Sequence, residues 1–190
     1  MTVIAFCLAV AQQAGVPVDL EGFAFVAPGR NNVAWWQSPH CDERPEGTVV
    51  DTIVLHHTAG KALAGTVKWF VMPESRVSAH FTVGRDGSIV QHVSTYQRAW
   101  HAGVSRDKFG RAHVNNFSVG IEIDNVGDGS EPYPAEQVLA VEHLVSVLVR
   151  RFPIRQITSH KFIAQPPGRK PDPINYPWET LERFGVEIVP

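Results

Sequence analysis

The segment from Ser159 to Pro173 carries an imidazole, an ammonium group and a carboxylate in one proline-rich loop. Prolines fix φ and leave such a loop few ways to move. His160 and Asp172 are both of residue types that bind zinc, and a site gains from ligands held in place before the ion arrives. Lys170, while protonated, is no ligand. It is suited to stabilising negative charge that develops during a reaction. The loop reads as half of a hydrolytic metal site.

Three other segments offer the remaining parts. His56 and His57 stand at the end of an apolar, β-branched run, Val49 to His56, and strand ends are where α/β folds place ligands and chemistry. Strand alternation sends the two rings to opposite faces, so at most one of them joins His160. The alternative is a hydrogen-bonded pair at a strand edge. Glu122 interrupts the apolar run Val119 to Ile123. It is either a solvated acid or a general base whose pKa burial raises. Trp100, within Arg98 to Gly103, either stacks on a sugar ring or anchors the core. His40, His92, His113 and His143 have no partner pattern.

The elements that must position these groups follow from periodicity. Val49 to His56 and Val119 to Asp124 read as strands, and Arg155 to Thr158 as a short one leading into the opening loop. His80 to Gly84 and Ser88 to Val93 flank Arg85-Asp86-Gly87, which predicts a hairpin. Ala62 to Val71 predicts a helix ended before Pro73. Ala135 to Arg151 predicts the longest helix, with Val138, Val141, Leu144, Val145 and Leu148 on its apolar face and Pro134 at its start. Trp178 to Phe184 predicts a last helical turn or two. Strands, a hairpin and helices together predict one α/β domain with a mixed central sheet flanked by helices. Residues 15–48 are rich in Gly, Pro and Asn and read as irregular. The division expected is an N-terminal helix and arm over 1–35 and a catalytic domain over 36–190.

The bulk numbers exclude several classes. With 190 residues, 44% of them hydrophobic, the chain can bury one sizeable core. A net charge of −2 gives no basic field for nucleic acid or anionic lipid. Two cysteines make no disulfide framework. No apolar run reaches the ~20 residues of a membrane span. Val3 to Val10 is apolar, but no Lys or Arg precedes it, so it reads as a short packed helix and not as a secretory signal. The location expected is the cytoplasm, or the cell wall by a release route that the sequence does not show. Nothing in the sequence reports oligomeric state.

Taken together, several segments resemble one family, the zinc-dependent N-acetylmuramoyl-L-alanine amidases. That family includes peptidoglycan recognition proteins, phage lysozyme-type amidases and the cytosolic amidase of peptidoglycan recycling. The segments are Thr52 to Ala59, Val77 to Phe81, Arg85 to Gly87, Arg98 to Ser105, Phe117 to Glu122 and Gly168 to Pro173. Ser38 to Pro45 is similar to the entry segment of the recycling branch. The resemblance implies one zinc ion on His56, His160 and Asp172, with Glu122 as general base and Lys170 stabilising the oxyanion. It implies a substrate groove lined by Trp100, Arg169 and His57. The substrate would be peptidoglycan or a muropeptide, cut between the lactyl group of N-acetylmuramic acid and L-alanine. His80 matches a recurrent family position that is not a ligand. Ala79 stands where some relatives use tyrosine, which puts more weight on Glu122. The His160-to-Asp172 loop is longer than in the recycling enzyme by about Gln165-Pro166, and the stretch from His57 to Val77 is shorter. Both border the expected groove, which leaves intact peptidoglycan beside anhydro-muropeptides as substrate. A recycling enzyme, a wall-remodelling amidase and a phage endolysin all fit this pattern. The rival classes are a binding module that keeps the fold without hydrolysis, and a zinc hydrolase of another amide.

Overall fold

The computed structural model describes residues 33–60 and 62–190. The helix and most of the arm expected before residue 36 lie outside the described residues. A seven-stranded mixed sheet runs through the molecule. Its strands are β1 (Ala34–Trp35), β3 (Thr52–His57), β4 (Phe81–Val83), β5 (Ile89–Gln91), β7 (Ser118–Ile123), β8 (Gln156–Ser159) and β9 (Glu187–Val189), in the order β1-β5-β4-β7-β3-β8-β9. β3 is central and pairs in parallel with both β7 and β8. β4 and β5 form the antiparallel hairpin around Asp86-Gly87. A second, two-stranded sheet joins β2 (Cys41–Glu43) to β6 (Gln97–Ala99). Two short strands thus lie inside the stretch expected to be irregular. β1 pairs with β5, so Ala34 and Trp35 belong to the main sheet.

The two faces of the sheet differ in chemistry because the side chains of β3 and β7 alternate. One face sets Ile53, Leu55, Val119, Ile121 and Ile123 against the long helix α2 (Ala135–Arg151), whose Ala140, Val141, Leu144, Val145 and Leu148 complete the main core. The other face carries Thr52, Val54, His56, Ser118, Gly120 and Glu122. It is covered by a smaller apolar cluster of Val54, Ala102, Val114, Phe117 and Ile163. Helix α1 (Leu63–Val71) buries Leu63, Val67 and Phe70, the i, i+4, i+7 stripe of an amphipathic helix.

One detail of α2 departs from its apolar pattern. Val138 is only half-buried, and Gln137 takes the inward position. The Gln137 amide donates to the carbonyls of Val83 and Asp124, where β4 and β7 end; the Val83 carbonyl also accepts from the Asp124 amide. The segment after β8 is not loop throughout. Ser159 caps a single helical turn, α3 (His160–Ile163), its hydroxyl accepting from the Phe162 amide.

Candidate metal centre and groove

His56 and Glu122 are register partners on the adjacent strands β3 and β7, so both point to the same face. The cap at Ser159 turns the chain out of β8 and presents His160 beside His56. The Lys161 amide donates to the Asp172 carbonyl, which pins the far end of the proline-rich loop against the start of α3. Three ligand-type atoms converge as a result. His56 Nδ1 and His160 Nδ1 are 3.0 Å apart, Asp172 Oδ2 is 3.0 Å from His160 Nδ1, and it is 3.3 Å from His56 Nδ1. All three residues are buried.

This triplet fits a metal ion. A tetrahedral zinc with bonds of ~2.0–2.1 Å sets neighbouring ligand atoms ~3.3 Å apart, close to the three separations found. Two imidazole nitrogens and a carboxylate oxygen also bring more lone pairs together than protons can separate, and a cation resolves that excess. The local electrostatics keep His56 and Asp172 in ligand form. Burial, with the charge of His160 adding to it, pushes His56 down to about 4. Burial raises Asp172, but hydrogen bonds from His160 and His56 outweigh it and hold the carboxyl well below its ordinary range.

A groove of about 660 Å³ opens over the triplet. His57, Trp100, Glu122, His160, Lys170 and Asp172 are among the residues that line it. One wall is the outer face of α1, where Ala62, Gly65, Thr66 and Trp69 follow one another at helical spacing. Trp100 is held with its amide on the Ser78 hydroxyl and a hydrogen bond from its side chain to Asp42. Glu122 is half-buried, and its Oε2 is shut off from solvent without a hydrogen-bond partner. Burial raises its pKa well above the usual carboxylate value; Asp172 adds to that and Lys170 opposes it.

Two expected groove features are placed elsewhere. Arg169 does not line the groove. Its guanidinium donates to the carbonyls of Gln165, Ala102 and Val104, and so ties the loop to the segment after Trp100. Gln165 and Pro166 are also absent from the lining; the Gln165 amide is bonded to Val104. His57 touches the groove, but its Nδ1 accepts from the Ile174 amide and its ring fills the space beside Gly127, where a Cβ would sit 2.4 Å from Nε2.

Residue type alone did not single out His101, which lies against His56, or Ser118, which lies against His101. His101 Nδ1 is 3.0 Å from His56 Nε2, and His101 Nε2 is 3.0 Å from Ser118 Oγ. Burial holds His101 well below the ordinary histidine value. The signal was present in β7: Ser118, Gly120 and Glu122 alternate on one face, and two small residues before the acid leave room for a ring. His80 stays off the triplet, its Nδ1 accepting from the Gly120 amide and its Nε2 lying 3.1 Å from the Gln97 carbonyl.

The family model described as N-acetylmuramoyl-L-alanine amidase matches residues 46–175. The chain belongs to that amidase family. The 1,6-anhydro-N-acetylmuramyl-L-alanine amidase AmpD of Haemophilus influenzae is 32% identical over 164 residues, which are 75% of this amidase and 86% of that protein. The AmpD of Citrobacter freundii is 35% identical over 173 residues, 80% of this chain and 88% of that one. Among solved structures, a selenomethionine AmpD crystal structure superposes with a TM-score of 0.71 at 31% identity, covering 80% of this chain and 93% of that chain. The Escherichia coli amidase AmiD, solved with anhydro-N-acetylmuramic acid-L-Ala-D-gamma-Glu-L-Lys, gives 0.66 at 27% identity, covering 76% of this chain and 62% of its own. No helix among the described residues of this amidase is long and apolar enough to cross a membrane.

Proposed function

We propose that this amidase hydrolyses the amide bond between the lactyl group of N-acetylmuramic acid and L-alanine, in muropeptides or peptidoglycan, with one zinc ion on His56, His160 and Asp172. The observation that carries the reading is the convergence of those three ligand atoms beside a groove that His160, Asp172, Glu122 and Lys170 line. When bound there, zinc would supply Lewis acidity, making a nucleophile available near neutral pH and polarising the scissile carbonyl.

The chain's own residues account for the rest. Glu122 accepts a proton from the attacking water at its carboxylate. That task requires the ionised form, which burial disfavours and which Lys170 and a neighbouring cation favour. Water oxygen adds to the carbonyl carbon, and Lys170 stabilises the charge that develops on the carbonyl oxygen. Glu122 then gives its proton to the nitrogen of L-alanine as the C–N bond breaks, leaving a lactyl carboxylic acid and a free stem peptide. Trp100 and Trp69 offer apolar faces on the groove for a sugar or the substrate's apolar edge.

Mass spectrometry of muropeptide and sacculus digests, with and without chelator, tests this. Release of free stem peptide that chelator abolishes is the expected result. Binding without cleavage would favour a recognition module, and cleavage of some other amide would move the substrate class. Comparing anhydro and non-anhydro products reads specificity from the same spectra.

A further inference from the structure

The hydrolysis outlined above uses neither His101 nor Ser118, yet both are buried, His101 against His56 and Ser118 against His101. His101 Nδ1 contacts His56 Nε2 at 3.0 Å, and His101 Nε2 contacts Ser118 Oγ at 3.0 Å. Ser118 Oγ lies 2.7 Å from the carbonyl oxygen of Val114. That last contact gives the chain its direction. A carbonyl only accepts, so the single hydroxyl proton of Ser118 goes to Val114. Ser118 Oγ then accepts from His101 Nε2–H. A neutral imidazole carries one proton, so His101 Nδ1 is bare and accepts from His56 Nε2–H. His56, protonated on Nε2, is left with its Nδ1 lone pair aimed at His160 and Asp172.

We propose that the Val114 carbonyl, Ser118 and His101 form a one-way hydrogen-bond relay that holds His56 in the tautomer able to bind metal through Nδ1. His101 and Ser118 are positioning residues acting through His56, and the proposal rests on the reading of His56 as a ligand. The relay is built from several parts of the fold. Asn115 Oδ1 accepts from the amides of His101 and Ala102 and so fixes the ring's backbone. Gly120 supplies the space, since a Cβ there would meet His101 Cγ at 2.5 Å. Strand β7 thus gives an acceptor at 118, room at 120 and the acid at 122, all on one face. Reversing the relay would strip the Val114 carbonyl of this donor and place a proton on His56 Nδ1, where a metal bond has to form. Metal-ligating histidines generally have their second nitrogen fixed in this way, and loss of such a partner weakens metal binding ~10–100-fold.

The test uses the full-length chain and zinc itself. Zinc affinity is measured by competition with a chromophoric chelator for wild type, Ser118→Ala, His101→Phe and His101→Gln. Two-bond ¹H–¹⁵N imidazole spectra of the zinc-free proteins report which nitrogen of His56 carries the proton. Ser118→Ala and His101→Phe are expected to weaken zinc binding ~10–100-fold. Ser118→Ala also moves the His56 proton towards Nδ1. In His101→Gln the amide oxygen accepts and the amide nitrogen donates, so that variant regains most of the affinity. Wild-type affinity in folded Ser118→Ala and His101→Phe overturns the relay, and so does a wild-type His56 protonated on Nδ1. If wild type binds no zinc, the metal reading fails while the spectra still decide the relay. If a variant does not fold, the wild-type spectra and His101→Gln decide it.

Discussion

Gly120→Ala is the substitution whose effect can be worked most directly from the structure. An added Cβ would lie 2.5 Å from His101 Cγ, 2.7 Å from Nδ1 and 2.8 Å from Cδ2. Carbon atoms in ordinary contact sit ~3.5–4.0 Å apart, so something must yield by ~1 Å. The backbone is held. Gly120 is paired with Val54 across β3, its amide donates to His80 Nδ1, and its carbonyl accepts from the His80 amide. The His101 ring must move instead, and a shift of that size cannot keep two 3.0 Å contacts, to His56 and Ser118, in line. Overpacking of this kind costs about 1–3 kcal/mol. At ~2–4 °C per kcal/mol for a domain of this size, the melting temperature should fall by about 2–12 °C. Zinc affinity should fall with it, by ~10–100-fold. Thermal melts by circular dichroism and chelator competition read the two effects on one sample. His101→Ala combined with Gly120→Ala should cost less than the sum of the two single changes, because His101→Ala removes the ring that the new Cβ collides with. A Gly120→Ala protein with wild-type melting and zinc affinity would refute the packing and the reasoning built on it.

Three further outcomes are expected. Glu122→Gln should keep full zinc occupancy by metal analysis and lose ~10²–10⁴-fold in turnover, since the amide cannot accept the water proton; wild-type turnover would remove Glu122 from the reaction. Trp100→Ala should raise KM for muropeptides about tenfold, the effect of losing ~1.4 kcal/mol of contact, and leave zinc affinity unchanged. The metal-free chain should gain thermal stability as pH rises from about 4 to 6.5. Burial depresses His56 and His92 to about 4 and His80 and His101 well below their ordinary value, so these rings charge in the unfolded chain first. The unfolded state binds more protons across that window, and stability climbs with pH. Glu122 and Asp124, raised by burial, work in the opposite sense but are two groups against four. Melts in chelator across this range check the slope, and a flat or falling profile would contradict the neutral, buried state of the rings.

The fold was legible where a pattern has one physical cause. Alternating apolar residues at Ile53, Leu55, Ile121 and Ile123 must face a core, and the stripe along α2 must cover it. The turn at Asp86-Gly87 announces a hairpin by its chemistry. What failed to show were elements held by long-range partners. β1 exists because Ala34 and Trp35 find β5, and β2 because Cys41 to Glu43 finds β6; a two- or three-residue strand has no period of its own. Gln137 takes the inward position in place of Val138 because its amide bonds two strand-end carbonyls, and no helical periodicity encodes those contacts.

The site divided along a similar line. That His160, Asp172, His56 and Glu122 would come together was readable because metal and acid–base chemistry restrict residue type, and because the ends of strands are where such groups gather. Arg169 shows what residue type leaves out. A guanidinium beside a groove suits a substrate, but three carbonyls close in space already take it up. His101 shows the converse. Its type was visible, yet its meaning depends on a proton whose position is decided two contacts away, at the carbonyl of Val114. Serine at 118 and glycine at 120 look like gaps in an apolar strand when read along the chain. Across the strand they are the acceptor and the space that a buried ring requires. Small residues alternating before an acid on a central strand are therefore a place to look for a buried ring beneath a strand-end histidine.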